Sequence, residues 1–186
     1  MSDSDGHNLT GTTYALTVIT AITPGRTEQV RAYIEGLPRG EDAPIARLGV
    51  VHTSRLQIFD TLVYQGAPQV RDRLNNDYLV FTAAFDGDDL DRFLDAIADS
   101  IPEADQWWGH CVGYPGAKDR VGFKRWIKHN KINTGLFAVA YPNESVRAIV
   151  DALSLRERIV EFALQAQGLS AVELQAGFRR TFAKDL

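Results

Sequence analysis

The feature that most constrains the fold is the order of strand-like and helix-like segments in the first two thirds of the chain. Strands are recognised by side chains that alternate between two faces, and helices by apolar residues that recur every three or four positions. The order is strand (13–22), helix (24–37), strand (48–60), strand (78–85), helix (88–101) and strand (107–114). This order predicts an α+β fold with an antiparallel sheet.

The same order predicts the ferredoxin-like βαββαβ arrangement, in which the sheet carries both helices on one face. The opposite face then has no cover of its own. Because an apolar face left in water favours association, we expect a second copy of the chain to shelter it as a homodimer.

Three segments are expected along the chain. Residues 1–12 are polar and acidic, and we expect a disordered tail there rather than a signal peptide. Residues 13–116 form the ferredoxin-like α+β domain. Residues 117–186 form a helical extension with one added strand, at 134–141, that packs on the same domain.

Charge and cysteine content exclude several functions. The net charge of −4 argues against nucleic acid as the main partner, because phosphate binding favours a basic domain. Cys111 is the single cysteine, so an internal disulfide and a four-thiolate zinc site are both excluded. One cysteine and no long apolar segment predict a cytoplasmic protein.

The second strand carries the first candidate site residues, His52 and Arg55. Residues three apart on a regular strand point to opposite faces, so these two cannot grip one small ligand unless a bulge intervenes. In the functional interpretation His52 is catalytic and Arg55 binds ligand. In the structural interpretation His52 is a core histidine whose ring nitrogens have hydrogen-bond partners within the protein, and Arg55 pairs with Asp60, Asp86 or Asp88.

The third strand supplies Phe81 as a further candidate for ligand binding. It ends in Asp86-Gly87-Asp88. This run is explained either as a metal or acid site or, more simply, as the cap of the second helix, because Asp caps helices and Gly tolerates unusual dihedral angles.

The densest aromatic segment is the last predicted strand. Its alternation places Trp108, His110 and Tyr114 on one face, where His110 would be catalytic and the two aromatic residues would bind ligand. The alternative is that the segment only packs the core and the dimer interface. Cys111 has no clear base beside it, so a nucleophile is not expected.

A basic segment at 118–131, which we expect to form a helix, holds six Lys or Arg against one Asp, whereas 86–105 holds eight acids against one Arg. Lys124, Arg125 and Lys128 could bind a membrane surface or an acidic partner. Alternatively, the basic and acidic segments face each other within a protomer or across a dimer.

The topology and motifs resemble the dimeric α+β barrel superfamily, which includes antibiotic-biosynthesis monooxygenases and dye-decolorizing peroxidases. A closer resemblance is to a poorly characterised bacterial group with three motifs. These are His-x-x-Arg-x4-Asp (His52, Arg55, Asp60), Phe-Asp-Gly-Asp (from Phe85) and Cys-x-Gly-Tyr-Pro (from Cys111). The resemblance implies a fold and a dimer with an internal cavity.

Three functions follow from these observations. The first is a dimer that binds a small apolar or aromatic molecule, without a predicted cofactor, as a binding protein, a cofactor-independent oxygenase or an isomerase. The second, implied by the resemblance, is a haem-dependent peroxidase-like enzyme with His110 as axial ligand and Arg55 near the peroxide. The third is a non-catalytic interaction module.

Overall fold

The computed structural model describes residues 5–70 and 74–183. The chain divides after Val146 into two compact units, and each is described by itself. The first holds the sheet and four helices, α1 (Thr27–Glu35), α2 (Leu90–Ser100), α3 (Ala104–Trp107) and α4 (Arg120–Asn130). The second consists of α5 (Val146–Gln165) from Arg147 onward and α6 (Ala171–Thr181).

The sheet is antiparallel throughout, which together with the helices gives the predicted α+β class. Its strands are β1 (Leu9–Thr10), β2 (Thr13–Ala21), β3 (Val51–Phe59), β4 (Tyr78–Asp86) and β5 (Lys131–Ile132). The path is β1-β2-β4-β3, and β5 pairs with β2 as well. The long strands pair in the register Val18–Phe81–Leu56.

One face of this sheet carries the hydrophobic core. Alternation along β2 and β4 directs Leu16, Val18, Leu79 and Phe81 to that face, where they are buried. The helices of the first unit contribute to the same core (Val30 of α1; Phe93, Leu94 and Ile97 of α2; Ala104 and Trp107 of α3; Phe123 and Ile127 of α4). Asp89 caps the N-terminus of α2, since its side chain accepts a hydrogen bond from the backbone N–H of Arg92.

The opposite face, which we call the helix-free face, contributes nothing to that core. The register places Ala15, Thr17 and Ile19 of β2 on it beside Val80, Thr82 and Ala84 of β4. Two large apolar side chains on this face, Phe59 and Ile132, are close to half exposed. Within the described part of the first unit, all four helices pack on the other side.

The predicted fourth strand, 107–114, is wrong. The segment forms helix α3, a turn, and an isolated antiparallel bridge between Cys111 and Ile22. Trp107 and Trp108 are consecutive and both buried in one core, with ring centroids 5.8 Å apart. A regular strand would send them to opposite faces.

The predicted fifth strand, 134–141, is also wrong, since these residues adopt no regular structure. Their composition suits a strand, but the outer edge of β2 is already occupied by β1, β5 and the Cys111 bridge. The segment is instead held by individual hydrogen bonds. For example, the Phe137 carbonyl accepts one from Thr10 Oγ1 at 2.9 Å.

The expected disordered tail is wrong for residues 5–12, and residues 1–4 lie outside the described part. Asp5–Asn8 forms a 3-10 turn, and β1 follows it on the edge of β2. The side chain of Asn8 is fully buried and accepts a hydrogen bond from the backbone N–H of Thr134 at 2.8 Å. A buried and satisfied amide explains why this polar segment is ordered.

The basic and acidic segments face each other within the first unit. Lys124 Nζ lies 2.6 Å from Asp95 Oδ2, and Lys128 Nζ lies 2.7 Å from Asp91 Oδ2. Arg120 completes this ladder between α2 and α4 by pairing with Asp99. Most of these groups are substantially exposed, so each pair contributes little individually.

The second unit is a pair of helices. Ser170 and Glu173 form a reciprocal capping box at the start of α6. Phe162, Phe178 and Phe182 form a small aromatic cluster between the helices. No helix in the described part of the chain combines the length and apolarity required to cross a bilayer.

Candidate functional site

A β-bulge at His52 changes the face to which the candidate residues belong. The pairing of β3 with β4 shifts by one residue between Val51 and Thr53, so His52 is the inserted residue. Its ring contacts Asp86, which alternation along β4 places on the helix-free face with Thr82 and Ala84. Arg55 pairs with Thr82 and belongs to the same face. The bulge therefore brings His52 and Arg55 to one face.

Asp86 connects His52 to the backbone. Its Oδ1 lies 2.8 Å from His52 Nε2, and its Oδ2 accepts a hydrogen bond from the backbone N–H of Val146 at 2.9 Å. Both side chains are largely buried. Because an ionised carboxylate only accepts hydrogen bonds, His52 Nε2 is the donor of this contact, and in the neutral form of the ring Nδ1 carries no hydrogen.

A third polar group lies beside this pair. Thr13 is directly opposite Asp86 in the register of β2 with β4. Its side chain is fully buried, and Thr13 Oγ1 has no hydrogen-bond partner among the described residues. A buried hydroxyl without a partner is costly, and such groups often mark a place where a water or ligand belongs.

Arg55 supplies positive charge near the histidine. The structural interpretation that paired Arg55 with a carboxylate is wrong, because Asp60 pairs with Arg31 and Asp86 with His52. The Arg55 guanidinium is exposed and has no partner among the described residues. A histidine held by Asp86 and an arginine with no partner in the described ranges thus share one face of the sheet.

The aromatic candidates do not join this site. Trp108 is fully buried in the core, and its ring centroid lies 5.3 Å from that of Phe81 and 6.3 Å from that of Tyr114. The structure thus brings these three together on the helix-covered side of the sheet. His110 is half-buried, and its backbone carbonyl accepts a hydrogen bond from the Thr23 N–H at 2.8 Å.

Tyr114 is held by Asp105, whose Oδ1 accepts hydrogen bonds from the phenol at 2.6 Å and from the Ala117 N–H at 2.9 Å. Burial, followed by the hydrogen bond and negative charge of Asp105, raises the pKa of Tyr114 far above its ordinary value. The phenol is therefore a fixed donor that ties α3 to the loop before α4.

Cys111 is buried, and burial raises the pKa of its thiol to about 11 against a weaker opposing effect of the Thr20 hydroxyl. A thiol with this pKa is not a nucleophile at neutral pH.

The sequence prediction missed Asp86 as the partner of His52 and Thr13 as their neighbour. The Asp86-Gly87-Asp88 run was predicted to supply the cap of the second helix, but the cap of α2 is Asp89. An extra residue in a strand has no reliable signature in a single sequence, so neither the bulge nor its consequences could be read from spacing. Among the described residues, no three His, Cys, Asp or Glu side chains are grouped to hold a metal ion.

Comparison of this chain with protein-family models, with curated proteins and with solved structures found no match. The assignment of function therefore depends on the chemistry of the site.

Proposed function

We propose that the helix-free face binds a small, largely apolar molecule, and that His52 removes a proton from it. The observation that carries this proposal is the bulge, which brings His52 and Arg55 to one face of the sheet. Apart from Gln57, the β2 and β4 register neighbours on that face are small or apolar, among them Ala15, Ile19, Val80 and Ala84, and such a surface suits an apolar ligand body.

The proposed chemistry assigns one role to each residue. His52 Nδ1 accepts the proton of a C–H group that lies next to a carbonyl, and Asp86 fixes the ring and stabilises the resulting imidazolium. Arg55 stabilises the enolate oxygen that forms when the C–H bond breaks. An enolate is the starting point for isomerisation and for cofactor-independent oxygenation.

We further propose that two copies close their helix-free faces over this ligand, which would make the protein a variant of the dimeric α+β barrel. Support comes from the antiparallel order β2-β4-β3, with its helices on one side, and from the apolar side chains of Phe59 and Ile132 on the other. The edge position of a fourth ferredoxin-like strand would then be shared by β1, β5 and the Cys111 bridge. We also propose a cytoplasmic site of action, because a chain with one buried cysteine does not depend on a disulfide.

Hydrogen–deuterium exchange on a probe ketone tests the proton-transfer step. The probe is 2-tetralone, an apolar bicyclic ketone with an acidic C–H group, incubated in D2O and followed by NMR. We expect the wild-type protein to accelerate exchange and His52→Gln to lower the accelerated rate by about 100-fold or more. Arg55→Gln lowers it as well, whereas His129→Gln, which changes an exposed histidine of α4, leaves it unchanged.

The same assay can overturn the proposal. Exchange at the buffer rate with the wild-type protein, or an equal rate in His52→Gln, removes His52 as a base. Addition of haemin tests the alternative enzyme separately, because a Soret band that is lost in His110→Ala would favour the peroxidase-like function instead.

A further inference from the structure

The outer edge of β3 has no partner strand in the described part of the chain. β3 is the last strand of the path β1-β2-β4-β3, and β4 pairs with its inner edge. Among the described residues, Val51–Phe59 forms no backbone hydrogen bond other than those with β4. An open edge presents a row of backbone N–H and C=O groups that fits another extended chain.

This edge also lacks most of the features that keep edge strands from pairing. Proteins protect such edges with proline, charged side chains, bulges or a covering element. The bulge of β3 lies at its start, at His52, and the stretch from Thr53 to Phe59 contains no proline and one charged residue, Arg55. The stretch is therefore open to one further strand.

A cleft of about 450 Å³ adjoins the same edge on the helix-covered side of the sheet. Its walls are mainly apolar and include Ile34, Leu37, Ile45, Leu56 and Phe81. Residues 54–57 all border it, although successive side chains of β3 point to opposite faces. The cleft therefore reaches the main chain at the outer edge, and a strand added there would direct every second side chain into it.

Arg55 determines the charge of this edge on the helix-free face. Its guanidinium is exposed and has no partner among the described residues, and β3 itself contains no carboxylate. On the helix-covered side, Arg39 and Glu35 both border the cleft, so their charges balance. An added strand is therefore favoured when it carries an acidic residue opposite Arg55, because opposite charges across paired strands stabilise the pairing.

The same charge disfavours a second copy of β3 as the added strand. Arg55 is the middle residue of Val51–Phe59. Two copies that pair antiparallel over their full length would place this arginine directly opposite its own counterpart, and like charges at opposed positions are destabilising.

We propose that β3 binds an extended peptide segment of a partner protein as an added edge strand. The segment carries an acidic residue opposite Arg55, and the apolar residues on either side of that acid enter the cleft beside Leu56. Main-chain hydrogen bonds supply the affinity, and alternate side chains supply the specificity. Because Arg55 also belongs to the proposed proton-transfer site, the peptide acid and the enolate would compete for its guanidinium.

NMR titration of the isotope-labelled full chain with a designed peptide tests the proposal. The peptide Thr-Val-Thr-Leu-Glu-Leu-Thr-Val-Thr has the same sequence in both directions, so it suits the edge whichever way it runs. We expect the amide signals of 53–59 to shift. The N–H groups on the outer edge, which alternate along the strand, should become protected from hydrogen exchange.

Three changed peptides separate the contributions to binding. Lysine in place of glutamate reverses the charge, serine in place of both leucines removes the apolar side chains, and N-methylation of the central Leu-Glu pair removes at least one hydrogen bond to β3. Each change should weaken binding about tenfold.

Protein variants assign the charge preference to one residue. Arg55→Glu should reverse it, so that the lysine peptide binds about tenfold more tightly than the glutamate peptide. Arg125→Glu, which changes an exposed arginine of α4, should leave both affinities unchanged. His52→Gln removes the proposed base and should also leave them unchanged, so peptide binding and proton transfer can fail separately.

The proposal is wrong if the glutamate peptide produces no shifts at millimolar concentration, or if its N-methylated form binds equally well. A folded Arg55→Glu variant that still prefers the glutamate peptide would also overturn it. If the outer N–H groups of β3 are protected in the free protein, and more so at higher protein concentration, a second copy occupies the edge instead of a partner peptide.

Discussion

Replacement of Asp86 by alanine is the sharpest test of the site on the helix-free face. The substitution removes the hydrogen bond with His52 Nε2 and the one from the Val146 N–H. Hydrogen bonds to a charged group contribute about 1.5–3 kcal/mol each. Since the carboxylate is 18% exposed, water replaces part of this loss. We expect Asp86→Ala to lower the free energy of unfolding by about 2–4 kcal/mol.

For a chain of this length, that loss corresponds to a fall in Tm of about 5–12 °C. Urea unfolding followed by tryptophan fluorescence, at one fixed protein concentration, measures it. Asp88→Ala is the matched control, because Asp88 is exposed and has no partner among the described residues, and its substitution should cost less than about 0.5 kcal/mol.

The tautomer of His52 provides an independent readout. Long-range proton–nitrogen NMR should show Nε2–H in the wild-type protein. In Asp86→Asn, the oxygen of the new side-chain amide can still accept the hydrogen bond from the Val146 N–H. Its NH2 group then faces His52 Nε2, so the hydrogen of the imidazole should move to Nδ1. A wild-type ring protonated on Nδ1 alone, or a cost of Asp86→Ala no larger than that of Asp88→Ala, would refute the geometry described here.

Further expectations concern the rest of the first unit. Lys124→Ala, which breaks the pair with Asp95, should cost about 0.5–1 kcal/mol in urea unfolding and less in 1 M NaCl, whereas Arg125→Ala should cost nothing measurable. Tyr114→Phe should cost about 1–3 kcal/mol in the same assay, because the hydrogen bond to Asp105 is lost; no cost would contradict its role as a tie. Cys111 should react with a disulfide reagent at pH 8 at least about 100-fold more slowly than free cysteine, since its pKa is about 11; rapid labelling of the native protein would contradict this. Because the pKa of Cys111 is raised on folding, the contribution of its thiol to stability should be complete below pH 9 and lost as pH rises through about 11. Unfolding curves of Cys111→Ala should not show this loss.

The sequence predicted the elements whose periodicity is regular. Strands β2, β3 and β4 and helices α1, α2 and α4 lie within a few residues of their predicted bounds, because each has a buried face that fixes its pattern. The opposition of basic and acidic segments was predicted as one of two alternatives. The ladder from Lys124 to Asp95 shows that they face each other within one chain.

Where the prediction was wrong, two periodicities competed. The segment from Trp107 to Tyr114 alternates in a way that suits a strand, but Ile101, Ala104 and Trp108 recur at helical spacing, and that spacing describes the structure. The residue types in 134–141 favour a strand, but a strand also needs an unoccupied sheet edge to pair with. Whether such an edge exists depends on tertiary structure.

Two of the six candidate residues, His52 and Arg55, lie on the helix-free face, and their relative position was not predicted. His52 and Arg55 were both named, yet a regular strand separates them, and only the inserted residue brings them together. The role of Asp86 follows from a contact between strands that the spacing of a single sequence does not encode.

The mass of the protein in solution tests most directly whether the helix-free face is closed by a second copy. Light scattering on the wild-type protein at about 50 µM should give twice the chain mass of 20.6 kDa, as a specific interface of ordinary size is saturated at that concentration. Thr82→Arg, which places a charge at the centre of the helix-free face, should give a folded protein of 20.6 kDa. A monomeric wild-type protein, or an unchanged dimer of Thr82→Arg, would contradict the account.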